Sequence, residues 1–171
     1  DCVVISPVLP HINPMPEDLE KLCQWLERMK AQKSLIATVC TGSFLLAEMG
    51  LLDGKKATTN WQFASLFKKR FPKVRLVAED ILTEEDNIIC TGAATAVNNL
   101  AIHLIQRYGS QKLAVACAKA LLIDPNRSNQ APYTMSIPFR SHGDIQILKA
   151  QELIESGYAK IKTIDDIARD V

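Results

Sequence analysis

The stretch of residues 35–50 constrains the fold more than any other, because an apolar run within it stops at a cysteine and then restarts with helical spacing. It reads LIATVCTGSFLLAEMG. Residues 35–39 have the length and composition of a buried strand, and Thr41 and Gly42 break the run. A strand, a tight turn and a helix in this order put Cys40 at the turn. Enzymes with α/β sheets expose nucleophiles on such turns.

Short apolar runs alternate with amphipathic segments along the first 123 residues. Residues 17–30 follow the helical period, and the runs 81–83 and 88–91 flank a polar turn, which predicts a β-hairpin. This alternation predicts an α/β fold with a mainly parallel sheet sandwiched by helices. The chain opens directly on a strand at residues 2–5, so we expect a further sheet-forming segment upstream.

Charge and apolar content narrow the classes of function. The 171 residues include 20 basic and 19 acidic side chains. This near-neutral balance argues against strong nucleic-acid binding by this chain alone. No apolar run approaches the roughly 18 residues of a membrane-spanning helix, so no membrane partner is predicted.

The cysteines and histidines predict neither a metal site nor a cofactor. None of the five cysteines forms a C-x-x-C pair, and the three histidines are scattered. Isolated thiols in apolar segments are typical of a reducing compartment, so we expect a cytoplasmic protein. Cys2, Cys23, Cys90 and Cys117 are expected to be core residues.

The composition changes at Asp124. Residues 124–143 are rich in proline and polar side chains and predict a linker. Residues 144–171 then begin with a new amphipathic helix. A second helix is predicted to start after Thr163, which is a plausible N-cap because Asp166 supplies a carboxylate to the first turn.

Three stretches together resemble one known family. They are VCTGSFLLAEMGLLDGKKATTNW, ICTGAATAVNNLAIHLIQRYG and the C-terminal HGDIQILKAQELIESGYAKIKTIDDIARDV. The first two are similar to the ThiJ/PfpI, or class I glutamine amidotransferase-like, domain in the variety fused to AraC/XylS-type DNA-binding domains. The third resembles the first helix of the AraC-type domain and the start of its first helix-turn-helix unit.

This resemblance implies an organisation and a function. It implies a flavodoxin-like sensing domain at residues 1–123, a linker at 124–143 and the start of an all-α helix-turn-helix domain at 144–171. Such bacterial regulators sense an effector, form dimers and bind DNA through the complete C-terminal domain. The implied partners are therefore DNA, an unidentified small-molecule effector and a second copy of the chain.

The resemblance also implies that the catalytic set is degenerate. Cys40 matches the family's elbow nucleophile, but Asn60 stands where a histidine is usual, and an amide cannot act as a general base. Asn99 stands where an acidic residue is usual. Pro7 lies in the loop that would form the oxyanion hole, and it has no N–H to donate. No catalytic residue is therefore predicted.

The sensing pocket is expected to include Cys40, Thr41, Gly42, Asn60 and His11. Three alternatives remain open from the sequence. The protein could be a cysteine-dependent hydrolase or hydratase, a redox sensor that works through Cys40, or a protein in which Cys40 is only a small buried residue. If the turn exposes the sulfur at a helix N-terminus, Cys40 should label before the other four cysteines.

Overall fold

The computed structural model describes residues 1–10, 16–133, 143–157 and 163–171. The chain divides into two compact units, Asp1–Thr134 and Met135–Val171. His11, which was expected at the rim of the pocket, lies outside the described residues. No helix in the described ranges is long and apolar enough to cross a membrane.

The first unit contains a four-stranded sheet with the strand order β1-β2-β6-β5. Its strands are β1 (Cys2–Ile5), β2 (Leu35–Thr38), β5 (Leu82–Glu85) and β6 (Ile88–Thr91). β1 pairs with β2 and β2 with β6 in parallel, whereas β5 pairs antiparallel with β6 as the predicted hairpin. The expectation of a mainly parallel α/β sheet is confirmed.

Two short strands lie outside this sheet. β3 (Lys56–Ala57) and β4 (Arg75–Leu76) pair in parallel only with each other. The sequence pattern alone could not show that these two strands form a separate sheet. β3 matters for the site because its chain continues directly into Thr58, Thr59 and Asn60.

Helices cover the sheet on both faces. Those of the first unit are α1 (Pro16–Ala31), α2 (Ser43–Glu48), α3 (Ala64–Arg70), α4 (Ala96–Tyr108) and α5 (Gln111–Ala120). Successive residues of β2 enter different clusters, since Leu35 and Ala37 pack with Leu100 of α4 while Ile36 packs with Phe44 and Leu26. β2 is therefore buried on both faces, which is why its sequence is a continuous apolar run.

Aromatic packing holds α2 against α3. The Phe67 ring is fully buried and lies edge-on to Phe44, with ring centroids 4.9 Å apart, and to Phe71, at 5.0 Å. Edge-to-face pairs of this kind add to the stabilisation from burial alone. This cluster fixes the helix that follows the cysteine turn.

The segment predicted to be a linker is in part a component of the first unit. Ile81 donates its backbone N–H to the Ser128 carbonyl at 2.9 Å, and Asp80 and Asn129 form an isolated antiparallel bridge. Gln130 is only 4% exposed. The linker expected at 124–143 therefore does not begin at Asp124, because residues 124–133 pack on the sheet domain. Residues 134–142 lie outside the described ranges.

The second unit contains α6 (Ile145–Gly157) and α7 (Ile164–Asp170). The predicted N-cap of α7 is confirmed as a capping box, in which Asp166 donates its backbone N–H to the Thr163 hydroxyl and the Thr163 N–H bonds the Asp166 carboxylate. Apolar side chains of this unit remain open to solvent, with Ile145 69% and Ile164 82% exposed.

Candidate functional site at the cysteine turn

The backbone at Cys40 has the sharp conformation that the sequence predicted. β2 ends at Thr38, a 3-10 turn covers Cys40–Gly42, and α2 begins at Ser43. Cys40 has φ = +56°. A left-handed conformation costs a non-glycine residue about 1–3 kcal/mol and persists only where the surroundings fix it. The turn therefore matches the nucleophile elbow in geometry.

Buried hydroxyl groups hold the Cys40 carbonyl. The Thr59 hydroxyl donates to the Cys40 carbonyl oxygen at 3.2 Å, and the Ser43 hydroxyl lies 2.9 Å from the Thr59 hydroxyl oxygen. Both side chains are fully buried. These bonds supply polar partners for the carbonyl group of a buried residue. Sequence reasoning missed both residues, because buried hydroxyls in apolar runs are read as packing.

The loop after β1 packs closely on the turn. The Thr41 hydroxyl donates to the Val8 carbonyl at 2.6 Å. A Cβ atom on Gly42 would lie 2.9 Å from the carbonyl oxygens of both Ile5 and Ser6. Gly42 is therefore required for space rather than for its φ angle, which is −58°. The end of β1 and the loop after it therefore place carbonyl groups, which are hydrogen-bond acceptors, close to the turn.

Asn60 lies beside the sulfur. Its Nδ2 donates to Cys40 Sγ at 3.4 Å, while its Oδ1 accepts the Gln62 N–H at 3.0 Å and caps the turn Trp61–Phe63. The second bond fixes the amide with its NH₂ group toward the sulfur. Because NH₂ is a donor only, this side chain can stabilise a thiolate but cannot remove a proton from a thiol.

The expected exposure of the cysteines was wrong in two respects. Cys40 is only 8% exposed and packs in an apolar cluster with Leu100. Cys2, expected in the core, is exposed, and Cys23 and Cys117 are half-buried. Of the four thiols expected in the core, only Cys90 is buried, and burial raises the pKa of Cys90 to about 11. The local sequence pattern could not show that β1, the strand that carries Cys2, lies at an edge of the sheet.

We therefore expect Cys2 to be alkylated before Cys40 in the native chain, because alkylation requires contact with the sulfur and only Cys2 of these two is exposed. The dipole of α2 gives the Cys40 thiol little activation, because this helix is only six residues long. A brief iodoacetamide pulse at neutral pH, followed by mass-spectrometric mapping of the modified peptides, measures the order. Urea-unfolded chain provides the control, in which all five cysteines should label at similar rates. Early modification of Cys40 would show that the turn opens to solvent.

Other polar residues that the sequence singled out lie in separate groups. The Asn99 Nδ2 donates to the Arg127 carbonyl at 3.2 Å, and its Oδ1 accepts from the Arg127 guanidinium at 3.0 Å. His103 lies 2.8 Å from a Glu84 carboxylate oxygen, and Arg107 pairs with the same carboxylate. None of these bonds reaches Cys40. Within the described ranges, no cluster of histidine, cysteine and acidic residues could hold a metal ion.

A cavity of about 300 Å³ lies against the outer side of α2. Its walls include Leu9, Phe44 and Leu45, and an ion pair between Glu48 and Arg70, at 2.7 Å, lies at its edge. Cys40 is not among its lining residues. Of the five residues expected to bind a ligand, the structure brings Cys40, Thr41, Gly42 and Asn60 together.

Comparison with known proteins identifies the family of the domain that contains the cysteine turn. Residues 9–107 match the profile of the DJ-1/PfpI family. The chain belongs to the DJ-1/PfpI family. The ThiJ/PfpI resemblance drawn from the cysteine turn is thereby confirmed, as is the flavodoxin-like fold class. In solved structures, an AraC family transcriptional regulator from Pseudomonas putida superposes with a TM-score of 0.58 and 17% identity, covering 71% of this chain and 63% of that one.

The proteins of known name that this chain is similar to include regulators and an enzyme. The chain is 26% identical to the HTH-type transcriptional regulator CdhR of Pseudomonas aeruginosa and 29% identical to ArgR of the same organism, over 78% and 85% of this chain. It is 31% identical to an isonitrile hydratase of Pseudomonas putida over 62% of this chain. It spans 39%, 44% and 46% of these three proteins, respectively.

Proposed function

We propose that this chain is the effector-sensing and dimerising part of an AraC-type transcriptional regulator, with a DJ-1/PfpI domain that senses rather than catalyses. The first unit would bind the effector, and the second would form the start of the DNA-binding domain. The complete regulator would act in the bacterial cytoplasm.

The observation that carries this proposal is the similarity to ArgR. It extends over 150 residues, more than the whole span 9–107 that matches the DJ-1/PfpI profile. The regulator's likeness to this chain is therefore not confined to the family domain. The exposed isoleucines of α6 and α7 fit this proposal, because further helices of a complete DNA-binding domain would cover them.

The chemistry of the turn supports sensing over catalysis. Asn60 retains a hydrogen bond to Cys40 but offers no base. The turn is therefore built as in an enzyme, yet the group that would activate the thiol is an amide. A small molecule that displaces this bond could be detected without being transformed.

The second candidate is a cysteine-dependent hydratase or hydrolase, which the similarity to the isonitrile hydratase favours. In that case Cys40 would attack the substrate, and a group other than Asn60 would have to accept its proton. A measurement of turnover on an isonitrile, with the Cys40→Ser variant beside the unmodified chain, separates the two candidates.

DNA binding tests the regulator proposal directly. Recognition by a helix-turn-helix requires a second helix in the major groove. Residues 140–171 contain five basic and six acidic side chains, a balance that gives little attraction to phosphate. We expect this 171-residue chain to give no specific retardation of its own promoter in a gel shift at physiological salt.

The matched comparison is the gene product with its complete C-terminal domain, which should retard the same promoter and run as a dimer in light scattering. Retardation by the 171-residue chain alone would contradict the assignment of residues 144–171. Absence of specific binding by the complete product, tested against its own upstream region, would refute the regulator proposal.

A further inference from the structure

A second cavity, of about 320 Å³, lies between the turn that follows Asn60 and the segment that leaves the first unit. Trp61 and Ile81 line it from the sheet domain, and Arg127, Gln130 and Tyr133 line it from the departing segment. Pockets of this size hold small organic ligands. This cavity is distinct from the one beside α2 and includes none of the ligand-binding residues expected from the sequence.

Arg127 carries the only guanidinium group on the lining of this cavity. Its Nη2 donates to the Thr95 hydroxyl at 3.1 Å and to Asn99 Oδ1 at 3.0 Å, and both acceptors are neutral. In the part of the chain that the structure describes, no carboxylate pairs with Arg127, and its Nε and Nη1 groups have no acceptor. The guanidinium group is thus held in position while its Nε and Nη1 donors remain available. This arrangement favours the binding of an anion.

The neighbouring polar group is already satisfied. Gln130 Nε2 donates to the carbonyls of Ala78, at 2.7 Å, and Thr59, at 3.0 Å, and its Oε1 accepts the Ala93 N–H at 3.0 Å. Gln130 therefore forms a wall of the cavity, and its NH₂ donors are already used. The charged group that a ligand in this cavity could meet is Arg127.

The remaining walls suit an apolar body. Trp61 lines one side, and Tyr133 lies with its ring centroid 5.8 Å from the Arg127 guanidinium carbon. A flat apolar group could pack on these rings while a carboxylate meets the guanidinium in a bidentate pair. We propose that this cavity binds a small carboxylic acid with an apolar, flat body, of the size of phenylacetate.

Such a ligand would contact both the segment that follows the cysteine site and the segment that leads to the second unit. Trp61 follows the residue that bonds the Cys40 sulfur, and Arg127 and Tyr133 precede the second unit in the chain. Binding would tighten residues 127–133 onto the sheet domain. This consequence rests on the proposed regulatory function, whereas the binding itself does not.

Tryptophan fluorescence reports on this cavity directly. The chain has two tryptophans, so the Trp25→Phe variant leaves Trp61 as the only indole. Titration of this variant with phenylacetate and benzoate at millimolar concentrations should give a saturable change in emission. The Trp61→Phe variant, which keeps Trp25, should give none. No saturable change with either acid would overturn the proposal.

Charge recognition is tested with a neutral ligand and a neutral side chain. Phenylacetamide should bind the Trp25→Phe chain at least about tenfold more weakly than phenylacetate, as expected for loss of a charge-assisted hydrogen bond. Arg127→Gln should weaken phenylacetate binding to a similar extent, whereas Arg107→Gln, an arginine outside the cavity, should leave it unchanged.

Equal binding of acid and amide would refute the carboxylate assignment even if Arg127→Gln did not fold, because that comparison uses no Arg127 variant. Unchanged phenylacetate binding by a folded Arg127→Gln chain would also refute it. Failure of the proposed function appears elsewhere, as an absence of promoter binding by the complete gene product. The two failures are therefore distinguishable.

Discussion

The chain is expected to convert no isonitrile or small amide faster than its own Cys40→Ser variant does. The reason is the group beside the sulfur, because the Asn60 amide donates a hydrogen bond at 3.4 Å and cannot accept a proton. The absence of a general base alone lowers a rate by about two to four orders of magnitude. The Pseudomonas putida isonitrile hydratase, assayed beside the chain with the same isonitrile, provides the positive control.

The assay should follow loss of the isonitrile by chromatography at several pH values, so that a base with an unusual pKa would still be detected. Asn60→Asp is a useful companion variant, because it places a carboxylate near the sulfur in a side chain of the same length. Turnover by the unmodified chain that disappears in Cys40→Ser would overturn the sensor proposal and favour the enzyme alternative.

Replacement of Gln130 by methionine should lower the free energy of unfolding of the first unit by about 2–4 kcal/mol. Methionine has a similar volume but leaves the Ala93 N–H and the carbonyls of Thr59 and Ala78 without their partner. Buried groups that lose a hydrogen-bond partner cost about 1–3 kcal/mol each and do not add fully. Urea unfolding followed by circular dichroism measures the change.

Gln24→Met is the matched control. Gln24 is exposed on α1, where its amide bonds only the neighbouring Glu20 side chain, so the same replacement should change stability by less than about 0.5 kcal/mol. Similar midpoints for the Gln130 variant and the unmodified chain would mean that residues 124–133 are not held on the sheet domain and form the free linker that composition predicts.

Gln130 illustrates why composition misjudged this segment. Residues 124–133 are polar and contain two prolines, which is typical of a linker. What binds them to the domain is hydrogen bonding to carbonyl groups distant in sequence, such as Ala78. Gly92 leaves room for this contact, since a Cβ atom there would lie 2.4 Å from the Gln130 side-chain oxygen. Neither the carbonyls nor the space can be read from local pattern.

The strand, turn and helix at Cys40 were determined by the sequence itself. A strand that is buried on both faces of a sheet has a continuous apolar sequence, without alternating polar residues, and residues 35–39 show this pattern. The break at Thr41 and Gly42 then indicates where the turn lies. The same holds for the hairpin at residues 82–91 and the capped start of α7. In each case the signal is local, because hydrogen bonds between near neighbours or the repeat of buried positions fix the structure.

Tertiary structure alone decided what surrounds the sulfur and the cavities. The exposure of Cys2 and burial of Cys40 depend on which strand lies at the edge of the sheet and which helix covers the turn. The position of Arg127 beside Trp61 depends on a chain segment that returns to the sheet domain after two helices. Periodicity determines which residues are buried within an element, whereas the contacts between distant elements determine which polar groups meet.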